Sequence, residues 1–190
     1  MAILKCSRLL GLSAVLCSLL LALPGAALAQ DDAAVLERRV KAAFLYKFAD
    51  YVDWPEGTFP KPNTPVVIGV AGDDQVAAEL ASVAASRSAE SRPLLVKKLR
   101  EGDSLAGLQV VFAGRSEVNR LLQLARSAPA QPVLLVTESD AALGQGSIIN
   151  FVMTAGRVRF EVALDNAERR GLKLSSRLLT VAQNVRTVQP

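Results

Sequence analysis

The chain has 190 residues, with 22 basic and 18 acidic side chains, no histidine and two cysteines, Cys6 and Cys17. Beyond residue 29 it therefore has neither imidazole nor thiol, which removes Ser–His and Cys–His nucleophiles and histidine or cysteine metal ligands. Its charges are interspersed, +4 overall and +2 once Lys5 and Arg8 are set aside, with no basic run of the kind that tracks nucleic acid.

The first 29 residues read as an export signal. Lys5 and Arg8 open it, an apolar run from Leu9 to Leu23 follows, Pro24-Gly25 breaks that run, and Ala27-Leu28-Ala29 supplies a small-x-small cleavage site before Gln30. The run is too short for a spanning helix, which needs about 20 apolar residues. Residues 1–29 are thus expected to be a cleaved signal peptide, and residues 30–190 one domain working outside the cytoplasm, large enough for a full hydrophobic core.

From Ala33 the spacing of Leu36, Val40, Phe44 and Tyr51 predicts a long amphipathic helix, capped by Asp31 or Asp32 and stopped at Trp54-Pro55. Of Tyr46 and Phe48, well apart around that helix, one is expected to face outward. Pro60, Pro62 and Pro65 mark a rigid connector. Val66 to Val70 reads as a strand buried on both faces, turned by Gly72-Asp73-Asp74 into a helix from about Gln75 to Ala85. Leu94-Leu95-Val96, Val110 to Ala113 and Pro132 to Val136 read as further strands. Ser116 is expected to cap the helix bearing Leu121, Leu122, Leu124 and Ala125. Ser147–Met153 and Val158–Leu164 predict a hairpin about Thr154 to Arg157. A short helix is expected from Asp165, and a last one from Ser175 or Ser176 that packs Leu178, Leu179 and Val181. Together these elements predict an α/β class fold: a single-domain sandwich with a mostly parallel central sheet, an antiparallel C-terminal hairpin and flanking helices.

The chemistry is sparse. The turns Gly72-Asp73-Asp74, Gly114-Arg115-Ser116 and Thr137 to Asp140 end strands and could share a crevice, but none is a dinucleotide or phosphate loop. Asp73, Asp74, Glu138 and Asp140 follow no calcium-loop spacing, and neither S-x-x-K nor G-x-S-x-G occurs after the leader. No catalytic residue, metal site or cofactor is expected. A binding role is the default. Its candidate partner-contacting residues are Trp54 and Phe59 beside the connector, and Phe151, Met153, Arg157 and Arg159 on a hairpin edge, with Phe151 as an aromatic anchor. Asn150, Glu161, Ser175 and Arg177 form a second group that could converge on a small molecule, and Glu161 has Arg159 or Arg177 as expected ion-pair partners. A sensor of small molecules predicts a polar-lined pocket near the sheet ends or at Arg177; an enzyme without histidine predicts a buried lysine or carboxylate beside a hydroxyl.

Several strings, in order, resemble the YfiR family of periplasmic proteins: Val40 to Phe48, Val52-Asp53-Trp54-Pro55, Ile68 to Asp74, Ile149-Asn150-Phe151-Val152, Gly156 to Val162 and Leu172 to Leu179. The resemblance spans about Val35 to Val185. It implies a non-enzymatic α/β domain, often a homodimer, that represses an inner-membrane diguanylate cyclase by binding its periplasmic sensor region, or partners a related membrane sensor. It further implies an outer-membrane lipoprotein able to sequester the repressor, and control of cyclic-di-GMP and biofilm. Where members carry disulfide cysteines this chain has Ala71, Val110, Gln145 and Val152, so its stability is expected to rest on packing alone.

Overall fold

The computed structural model describes residues 25–86, 92–128 and 131–187. Residues 1–24, with most of the expected leader, lie outside them. The chain divides into two compact units, residues 1–36 and 37–190. The described part of the first is the opening of helix α1 (Gly25–Asp50). This helix runs through Asp31 and Asp32 instead of being capped by them, because Ala26, Ala27 and Ala29 are strong helix formers that extend it backwards.

In the second unit the elements after α1 are β1 (Val52–Asp53), β2 (Val66–Ala71), α2 (Asp74–Ala85), β3 (Leu94–Lys98), β4 (Val110–Ala113), α3 (Val118–Ser127), β5 (Leu134–Thr137), a 3-10 turn (Leu143–Gln145), β6 (Ile149–Thr154), β7 (Arg157–Ala163), α4 (Leu164–Glu168), β8 (Lys173–Leu174), α5 (Ser176–Val181) and β9 (Asn184–Arg186). The described residues form a seven-stranded sheet in the order β3-β2-β4-β5-β6-β7-β9, and a two-stranded antiparallel sheet of β1 and β8. Pairing is parallel from β3 through β6, antiparallel at β6–β7 and parallel again at β7–β9. The mostly parallel sheet, the hairpin and the flanking helices are those the sequence predicts.

β2 and β4 are apolar at every position, and β5 at all but its last, Thr137, because both faces are covered. Val110, Phe112, Leu134 and Val136 join a core with Leu45 and Phe48 of α1 and Val76 and Leu80 of α2. Val111, Ala113, Val133 and Leu135 point the other way, into a core with Leu121, Leu122 and Ala125 of α3. On the α1 side an aromatic cluster forms. Phe48 lies edge-on to Phe160 (5.0 Å between centroids) and near Phe151 (5.9 Å), while Phe44 meets Phe160 at 5.3 Å. Phe48 is thus fully buried and Tyr46, half-buried, is the more exposed of the pair.

Some local expectations fail. Ser116 does not cap α3: the N-cap is Glu117, with no side-chain bond. Asp73 does cap α2, accepting from the Gln75 and Val76 amides at 3.0 and 2.9 Å. Val181 does not pack; it is exposed, at the C-terminal end of α5. β9 pairs with β7 over Glu161–Ala163, so the hairpin is a sheet edge only toward its turn, where Arg157 and Arg159 lie.

Sheet order reverses between β2 and β4, the switch point at which open α/β domains commonly bind ligands. Here the two turns close on each other. The Gly114 amide donates to Ala71 O at 2.8 Å, and a Cβ on Gly114 would lie 2.9 Å from the Gly72 carbonyl oxygen. Gly72 itself holds φ +77, a left-handed conformation natural to glycine. Gly114→Ala is therefore expected to lower stability by about 1–3 kcal/mol, since backbone rather than a side-chain tip must move. Thermal unfolding checks this; an unchanged midpoint would show that the turns part freely.

Candidate functional site

With the switch point sealed, the best-formed cleft lies further along the carboxyl ends of the strands. It encloses about 410 Å³ between α1, the turn after β4, the loop after β5 and the β6–β7 hairpin. Helix α1 brings Glu37 and Lys41 to one face, one turn apart. Arg115 follows β4, and Glu138, Ser139 and Asp140 follow β5. Phe151, Val152, Met153 and Val158 complete the lining.

A buried polar network fixes the loop that carries Glu138. The Thr137 hydroxyl donates to Asn150 Oδ1 (2.8 Å), and the Ser139 amide donates to the same oxygen (3.0 Å). Ser147 Oγ, buried beside them, donates to Ile149 O at 2.8 Å. Below, the Asn166 amide nitrogen donates to Leu143 O (2.7 Å) and Ser147 O (2.6 Å). Buried polar groups need such partners, so this network leaves the loop little freedom.

At the floor Lys41 is only 6% exposed. Its ammonium bonds to Glu37 Oε1 at 2.5 Å and to Glu138 Oε2, and the Arg115 amide donates to Glu138 Oε1 at 3.3 Å. Burial alone pulls the Lys41 pKa down, but hydrogen bonds and charge from Glu138 and Glu37 together outweigh it, and the pKa ends above the ordinary lysine value. A lysine held in its charged form is not a free base or nucleophile, although Ser139 lines the same cleft.

The sequence-derived candidates scatter. Phe151 is no surface anchor: it is 5% exposed and packed against Phe44, Phe48 and Phe112, reaching the cleft only as part of its wall. The reason is register, since Phe151 pairs with Phe160 and both point to the α1 side. Met153, on that face but beyond the helix cover, is 48% exposed at the cleft. Arg157 and Arg159 are exposed on the opposite face of β7. Trp54 and Phe59 sit elsewhere, half-buried against each other at 6.2 Å, with the Arg92 guanidinium 4.2 Å above the Phe59 ring and donating to Thr64 O at 2.9 Å. This stack secures the proline-rich connector.

Asn150, Glu161, Ser175 and Arg177 are not joined by hydrogen bonds among the described residues. Asn150 holds the β5 loop, Ser175 caps α5 through the Leu178 amide (3.4 Å), and Arg177 is exposed. Glu161 pairs with Arg186 (3.3 Å) instead of Arg159 or Arg177, because β9 lies alongside β7. Lys41 and Glu37 were not singled out from the sequence. On an amphipathic helix they read as a solvated i,i+4 pair, and nothing local signals that Glu138, 97 residues on, completes it.

Fold and cleft together define an α/β domain with a charged binding cleft at its strand ends. The family model described as YfiR/HmsC-like (DUF4154) matches residues 38–183, and the chain belongs to that family. A search of curated proteins finds no match. A solved structure, titled as a conserved domain protein from Vibrio cholerae O1 biovar El Tor str. N16961, is 10% identical with a TM-score of 0.49, covering 78% of this chain and 60% of that one. The chain thus spans less than two thirds of the length of that protein. Among the described residues no helix is long and apolar enough to cross a membrane.

Proposed function

We propose that the protein, processed after Ala29 and exported to the periplasm, represses an inner-membrane diguanylate cyclase by binding its periplasmic sensor region. The family match over residues 38–183 carries this reading. The open face of the hairpin supports it: Arg157 and Arg159 are exposed there, and α3 covers β4 and β5 on that side but not β6 and β7. Repression requires that the domain bind the inactive state of its partner more tightly than the active one. A shift from 1:99 to 99:1 needs about 10⁴-fold preference. A homodimer and release by an outer-membrane lipoprotein belong to the same proposal.

The test joins a functional readout to a folding control. The double variant Arg157→Ala, Arg159→Ala is expected to fold normally, raise cellular cyclic-di-GMP and lose co-purification with a membrane cyclase. Unchanged cyclic-di-GMP in that variant would remove the hairpin face as the repressing surface. No change on deleting the whole gene would remove the cyclase reading. The polar-lined cleft at the sheet ends favours a second reading, a sensor whose first client is a small molecule; a metabolite retained through purification, with no membrane partner recovered, would support it.

A further inference from the structure

The cleft at the strand ends has a charge balance of its own, independent of any cyclase. Its floor sets two carboxylates, Glu37 and Glu138, against the single ammonium of Lys41. Lys41 and Glu138 are the buried members, their side chains 8% and 11% exposed, and Glu37, 33% exposed, carries the surplus negative charge. At the rim, exposed Asp140 and Arg115 oppose one another. One wall is apolar, built from Phe151, Met153 and Val158 on the α1 face of the hairpin. The volume, about 410 Å³, is in the range of small-molecule sites, and the cleft opens at the carboxyl ends of β4 and β5, beside the switch point.

We propose that this cleft binds a small organic cation, an ammonium group on a short apolar body. The ammonium would sit against the Glu37–Glu138 pair and the body along Met153 and Val158. An anion of the same shape would meet a floor already in negative excess, at close range and low local dielectric. The hollow outside the switch point is a poorer candidate, because its lining has one aliphatic side chain, Leu99, to meet an apolar body.

Residues 30–190 contain a single methionine, Met153, so a methyl-labelled sample of the processed protein carries one reporter methyl at the cleft. Titration with n-hexylammonium is expected to shift that signal and to give saturable heat, while hexanoate gives neither. Glu37→Gln should weaken hexylammonium binding about fivefold, the scale of one charge pair, and Asp140→Asn should weaken it less. Equal or stronger response to hexanoate would overturn the proposal. So would no response to hexylammonium at millimolar concentration, heat without a shift at Met153, or full affinity in Glu37→Gln. None of these outcomes depends on whether cyclic-di-GMP responds to the protein.

Discussion

Lys41→Met is expected to destabilise the domain by about 3–5 kcal/mol, the cost of leaving a buried charge without its partner. Glu138 would keep its burial and lose its ammonium, retaining only the Arg115 amide. For a domain of this size that lowers the unfolding midpoint by roughly 6–20 °C. The double variant Lys41→Met, Glu138→Met should recover much of the loss, because removing both charges leaves neither one stranded. A double variant as unstable as the single one would show that the ion pair is not the cause. The pair also sets an alkaline limit. With the Lys41 pKa raised on folding, its stabilisation is complete below the ordinary value of 10.5 and is lost as pH rises through the higher folded value. The wild-type midpoint should therefore fall more steeply above pH 10.5 than that of the double variant.

Phe151→Ala should cost about 3–5 kcal/mol by opening a cavity in the aromatic cluster. Its ring lies 5.9 Å from Phe48, 5.9 Å from Phe112 and 6.1 Å from Phe44, with only 5% of the residue exposed. Arg159→Ala, on the uncovered face, should stay within about 0.5 kcal/mol of wild type. Chemical denaturation of the two variants side by side checks the contrast. A Phe151→Ala protein that lost repression would then be reporting a damaged core, whereas an Arg159→Ala protein that lost it would be reporting a damaged surface. Wild-type stability in Phe151→Ala would return Phe151 to the list of contact residues.

Much of the fold was legible because its signals are local. Val66 to Val70 declares a doubly covered strand by composition, Asp73 declares its cap by position, and Gly156 lies in the hairpin turn with φ +71. The short strands were not legible. Val52–Asp53, Lys173–Leu174 and Asn184–Arg186 are too brief to show a period and exist only through their partners. Missing β9 also misplaced part of the sheet edge and the partner of Glu161. The cleft was legible in part: the turns after β4 and β5 were expected to share a crevice, and Arg115, Glu138, Ser139 and Asp140 do line it, but the share of α1 through Glu37 and Lys41 has no local signal and arises only from how the helix packs on the sheet. Side chains such as Lys41 and Phe151 carry no local mark of burial or exposure; strand register and helix cover decide it.

The pairing of Val52 with Leu174 has a consequence for how the chain is made. A polypeptide synthesised from its amino end delivers α1 early, but the rings that sheathe its aromatic face, at positions 151 and 160, arrive more than a hundred residues later. Until then that stripe has no native cover and invites the wrong company. Closure of the small sheet waits for Leu174, so such a domain should acquire its shape late, slowly and all at once.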